Sequence, residues 1–222
     1  MPQILAPFAA FVFDMDGVLL DTEPLYKEAM HLACEDLGYE MTAELHNAQI
    51  GIPHDMGNLM MMKAFGEDFP IALYNEYTHK TMIALTADNV PVKPGAHELI
   101  AELNARDIPV AVATSTASPI APERLKRAGL FDKFTTVVTR SDVTHGKPHP
   151  EPFLTAAERL GVDPTFCIAL EDSHNGIRSA HGAGMRAIMV PDLLAPTAEI
   201  EALCLAVMPS LHHVRAAAFP AK

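Results

Sequence analysis

Basic residues are scarce in this chain. Lys and Arg number 16 against 28 Asp and Glu in 222 residues, a formal net charge of −12. No Lys/Arg run interrupts that excess, which argues against nucleic acid or an anionic membrane as a partner. Long apolar runs are missing too: none reaches the ~18 residues of a membrane span. Cysteine is rare. Cys34, Cys167 and Cys204 are far apart and form no C-x-x-C pair, so a disulfide framework and a zinc knuckle are both excluded and a reduced, cytoplasmic chain is expected. The stretch before Asp14 has no basic region and reads as a strand entering a core, not as a signal peptide. A monomer or weak homo-oligomer is expected.

What is present is enough to fold. Apolar residues make up 49%, and 12 glycines with 18 prolines are ordinary for a globular chain. Residues 8–13, FAAFVF, form a short apolar run that reads as a buried strand. Asp21-Thr22-Glu23-Pro24 then signals a helix start, and Gly38 closes that helix. Further helices are expected over 43–49, 55–65 and 71–85, with Leu59, Met62 and Phe65 on one face and Leu73, Tyr77 and Leu85 on another. Beyond Pro94-Gly95 the pattern alternates. Helices over 96–106, 119–128, 151–160 and 175–183 separate strands over 108–113, 135–138, 166–170 and 187–190. The tail from Leu205 suggests one last strand and a helix.

Alternation of this kind predicts an α/β fold, a Rossmann-like parallel sheet core with helices on both faces, plus an inserted all-α cap domain. The expected domains are 1–21 with 89–222 as the core, and 22–88 as the insert. Ligands of open parallel sheets bind beyond the carboxyl ends of the strands. There the sequence places Asp14-Met15-Asp16-Gly17, Thr114-Ser115-Thr116, Gly146-Lys147-Pro148 and Glu171-Asp172-Ser173. Four carboxylates facing one lysine need a counter-charge, and oxygen ligands of this kind suit Mg²⁺. Thr114 could instead cap the next helix, a role for which Ser118 competes. Among the histidines, His145, His149, His174 and His181 show no clear ligand spacing and are expected in loop or solvent-facing roles.

These motifs, in this order, resemble those of the haloacid dehalogenase superfamily: Asp14-Met15-Asp16-Gly17-Val18, Thr114 after VAVA, Lys147 in GKPHPEPF, and Glu171-Asp172-Ser173 before Asn175-Gly176-Ile177. The insert resembles the small cap of its phosphatase and phosphomutase branch. The resemblance implies a Mg²⁺-dependent phosphatase for a small phosphorylated metabolite. It makes Asp14 the nucleophile, Asp16 the acid-base group, Thr114 a phosphoryl ligand and Lys147 the balancing charge. Mg²⁺ would be held by the Asp14 carboxylate, the Asp16 carbonyl and Asp172, with Glu171 ligating or supporting. Ser115, Tyr26, Gly51 and His54 join Thr114 and Lys147 as candidate substrate contacts.

Three other readings compete. The dehalogenase branch does not keep a second aspartate, and Asp16 is present. A beta-phosphoglucomutase-like enzyme would place a histidine where Tyr26 stands, and its basic residue after the cap glycine is matched only by His54 after Gly51. A phospho-acceptor signalling module would need neither the insert nor Asp16.

Overall fold

The computed structural model describes residues 7–50, 52 and 54–220. Its sheet has six strands: β1 (Ala10–Phe13), β2 (Val110–Ala113), β3 (Thr136–Val138), β4 (Cys167–Glu171), β5 (Arg186–Met189) and β6 (Ala206–Val207). All pairs are parallel, in the order β3-β2-β1-β4-β5-β6. The central strands are buried on both faces, which is why they read as unbroken apolar runs.

The chain divides into two compact units, Met1–Asp21 with Val90–Lys222, and Thr22–Asn89. The second is entirely helical, with α1 (Glu23–Asp36), α2 (Ala43–Asn47), α3 (His54–Phe65) and α4 (Ile71–Leu85). The Thr42 hydroxyl caps α2 by accepting from the Leu45 amide. The core of this unit gathers Ala33, Cys34, Met41, Met61, Phe69 and Tyr74. None of the six expected face residues is in it: Phe65 and Tyr77 pack against it, and Met62 and Leu85 are only half-buried. Leu59 and Leu73 are exposed, and among the described residues the buried large side chains are Met61 in α3 and Tyr74 and Met82 in α4. Several residues in these helices are apolar on more than one side, so spacing alone does not choose the inward stripe.

In the first unit, α5 (Ala96–Asn104), α6 (Ile120–Arg127) and α10 (Leu211–Ala218) share a core with one face of the sheet; α7 (Glu151–Leu160), α8 (His174–Gly182) and α9 (Ala198–Leu203) share one with the other. The strands alternate accordingly. Phe11, Phe13, Val112, Ile168 and Leu170 face the first set, while Ala10, Ala111, Ala113 and Ala169 face the second. The small residues leave room for Phe153 of α7, which is fully buried. The tail folds as β6 and α10. Helix α9, only six residues long, has no counterpart in the sequence-based elements. The three cysteines are free, as their spacing implies.

Candidate active site

The central strands end on one edge, and two of those ends, β1 and β4, hold acids together. The Asp14 amide donates to the Leu170 carbonyl at 2.9 Å, so the ladder between β1 and β4 runs one residue past β1. That register sets Asp14 beside Glu171 at the end of β4. Lys147, from the loop before α7, inserts its ammonium between them and donates to Asp14 Oδ1 and to Glu171 Oε1. All three groups are buried, and the ammonium also lies 5.0 Å from the centre of the Phe153 ring. Ser173 completes Glu171: its amide and hydroxyl donate to Oε2 at 3.2 and 3.0 Å. The same hydroxyl accepts from the Gly176 amide and caps α8.

Burial pushes the Asp14 carboxyl well above the usual carboxylate range. Lys147 pulls it back down, while the charges of Glu171 and Asp16 push it further up. Burial also works against the Lys147 ammonium, but Asp14 and Glu171 outweigh it and hold the amine above its ordinary value. One lysine therefore does not neutralise this edge. Asp14, Glu171 and Asp172 each offer a carboxylate oxygen, and these oxygens lie within 4.8 Å of one another. Among the described residues this all-oxygen cluster fits a hard divalent cation.

Two glycines make the cluster sterically feasible. A Cβ on Gly17, whose φ is +86°, would fall 2.3 Å from Asp172 Oδ2. A Cβ on Gly176 would fall 1.8–2.0 Å from the Glu171 carboxylate. Neither position has room for any side chain.

Asp16 turns to different partners. Its Oδ2 accepts from the Thr116 hydroxyl at 2.8 Å, and its Oδ1 lies 3.3 Å from an amino group of Arg124 in α6. From the sequence, Thr116 stands at the strand end beside Thr114 with no role of its own, and Arg124 gives no motif signal. Thr114 is buried at the end of β2, with its amide donating to the Val138 carbonyl. Its hydroxyl accepts from the Thr116 amide at 3.0 Å. It therefore does not cap α6, and neither does Ser118, because Pro119 occupies the N-cap position without a side-chain bond. Ser115 is exposed.

The remaining candidates belong to the helical unit. Tyr26 is half-buried in α1. Gly51 lies outside the described residues, as does the side chain of His54, whose backbone opens α3. His145 and His149 are exposed loop residues as expected, but they are not isolated. A turn from Gly146 to His149 brings their ring centres to 4.5 Å, and both approach Glu151. The Glu151 oxygens accept the Thr144 and His145 amides at 2.7 and 2.8 Å, which staples the loop carrying Lys147.

Residues 8–184 match the haloacid dehalogenase-like hydrolase family. The chain belongs to that family, and it is an enzyme of the phosphatase branch. Similar proteins include the phosphorylated carbohydrates phosphatase of Thermotoga maritima, 36% identical over 179 residues, covering 81% of this chain and 83% of the relative. Fructose-1-phosphate phosphatase YqaB of Escherichia coli is 34% identical over 184 residues, covering 82% and 96%. Among solved structures, CbbY from Rhodobacter sphaeroides in complex with phosphate superposes with a TM-score of 0.78 at 27% identity, covering 93% of this chain and 96% of that one.

Proposed function

We propose that the protein is a Mg²⁺-dependent phosphatase that hydrolyses a small sugar or polyol phosphate through an aspartyl-phosphate on Asp14. The observation that carries this reading is the buried Asp14 carboxylate, held by the equally buried Lys147 beside Glu171 and Asp172. Relatives whose names specify phosphorylated carbohydrates and fructose 1-phosphate support the substrate class.

In the first half-reaction, the Asp14 oxygen not engaged by Lys147 attacks phosphorus and the bond to the sugar oxygen breaks. Asp16 gives that oxygen its proton, so an alcohol leaves. In the second, water attacks the phosphoryl group, Asp16 takes the water's proton, and the bond to Asp14 breaks. Inorganic phosphate and the free carboxylate result. Thr114 keeps its hydroxyl proton for a phosphoryl oxygen, because the lone pair used toward Thr116 leaves the O–H free to donate. Lys147 holds Asp14 in one orientation and offsets charge on the transferring group.

The Asp14 and Asp172 carboxylates and the Asp16 carbonyl would hold Mg²⁺. Glu171, with both oxygens already engaged, supports Lys147. Bound there, Mg²⁺ supplies the positive charge that offsets this acidic edge and the incoming phosphate. The deciding experiment is Asp14→Asn. The variant should keep the wild-type circular dichroism spectrum and lose turnover of sugar phosphates. Substantial activity in the purified variant would overturn the assignment, and a stable phosphoryl group on wild-type Asp14 would point to a phospho-acceptor module instead.

A further inference from the structure

We propose that Arg124 is a positioning residue for Asp16: its guanidinium, together with the Thr116 hydroxyl, sets the orientation of the acid-base carboxylate before substrate arrives. The inference rests on the phosphatase reading above. Arg124 lies on the inward face of α6 with Ala121 and Leu125, and its side chain is only 6% exposed. Its neighbours Lys126 and Arg127 are exposed. A guanidinium withdrawn from water is costly unless it meets a charge of opposite sign. Arg124 meets Asp16, 108 residues away in sequence.

The two oxygens of Asp16 thus have separate donors on separate segments. Thr116, in the loop after β2, supplies the short bond to Oδ2 at 2.8 Å. Arg124, from α6, faces Oδ1 at 3.3 Å. Two donors at the two oxygens fix the plane of the carboxylate, whereas one would leave it free to rotate. The longer contact guides the group without clamping it, as suits a residue that must release and recover a proton. Asp16 is also the less buried member, with 20% of its side chain exposed. External orientation therefore matters more for it than for Asp14, which Lys147 already holds.

The test separates the two half-reactions. With p-nitrophenyl phosphate the leaving group needs little protonation, so phosphorylation of Asp14 proceeds without well-placed acid. Hydrolysis of the aspartyl-phosphate still needs Asp16 to take a proton from water. In rapid-mixing experiments with Mg²⁺, Arg124→Met keeps the apolar stem and removes the charge. It should release the first equivalent of p-nitrophenol within about threefold of the wild-type rate, while steady-state turnover falls about tenfold or more. That loss is smaller than the ~10²–10⁴ attached to a general acid-base group itself. A burst close to one equivalent should appear, KM should change little, and Arg124→Lys should recover part of the turnover. Thr116→Val, removing the other donor with little change in shape, should produce the same burst and carries the test if Arg124→Met does not fold.

Equal slowing of both phases without a burst would reduce Arg124 to a packing role and overturn the proposal. Unchanged or faster steady-state turnover would overturn it as well. Failure here is distinct from failure of the phosphatase reading: an inactive Asp14→Asn beside a wild-type-like Arg124→Met refutes only the role of Arg124.

Discussion

Alanine in place of Gly176 should weaken this protein, although helix propensity says the reverse. Gly176 lies within α8, where replacing glycine by alanine is ordinarily worth ~1 kcal/mol of added stability. Here the new Cβ would fall 1.8–2.0 Å from Glu171, against an ordinary contact of 3.4–4 Å. The carboxylate must retreat by about 1.5 Å. It is fully buried, and it is tied to Lys147 on one oxygen and to the Ser173 amide and hydroxyl on the other. Overpacking of a core costs ~1–3 kcal/mol, and a hydrogen bond to a charged group is worth ~1.5–3 kcal/mol. The penalties exceed the propensity gain, leaving a net loss of about 2–4 kcal/mol. For a chain of this size that lowers Tm by roughly 5–15 °C, readable by calorimetry. Activity should fall with it, because Lys147 follows Glu171. Shortening the acid in the same background, Gly176→Ala with Glu171→Asp, should recover part of the lost Tm. If Gly176→Ala alone melts at or above the wild-type temperature with full activity, the placement of Glu171 against α8 is wrong.

Mg²⁺ at 100 times its Kd should stabilise the fold by ~2.7 kcal/mol, and Asp172→Asn should abolish most of that thermal shift. The Mg²⁺ affinity, followed by titration calorimetry, should strengthen as pH rises toward about 8: Asp14 holds its proton up to that range without metal, so the proton competes with the ion at lower pH. A pH-independent affinity would show that Lys147 keeps Asp14 ionised below that range and would overturn the competition between proton and metal. Incubation with glucose 1-phosphate and a trace of the bisphosphate should yield inorganic phosphate; glucose 6-phosphate without phosphate release would establish a mutase.

The sheet was legible because its central strands are buried on both faces, so each appears as an apolar run that stops at a polar residue. Asp14, Thr114 and Glu171 mark those stops, and parallel order carries them to one edge. Helix α4 was legible to the residue: the expected range 71–85 is the one observed. The inward faces of α3 and α4 were less so, since Leu59 and Leu73 are as apolar as the methionines that are buried. The loop pair His145 and His149 depends on a local turn, and neither helical nor strand periodicity describes it.

Arg124 is the more instructive omission. It stands in PERLKR, where three basic residues within four positions look like one solvated helix end. The helical period separates them. Ala121 and Leu125 define the buried stripe of α6, and Arg124, three residues after the first and adjacent to the second, falls on it; Lys126 and Arg127 do not. A charge inside an apolar stripe must have a partner in the fold. The sequence already holds an unassigned need of that kind, because Asp16 requires a donor to orient it and lies at the end of a neighbouring strand. Arg124 belongs to the helix that follows β2, the strand beside β1, which makes Asp16 a candidate partner for it. The same reasoning applies to Lys147, whose buried ammonium is tolerated only because Asp14 and Glu171 face it.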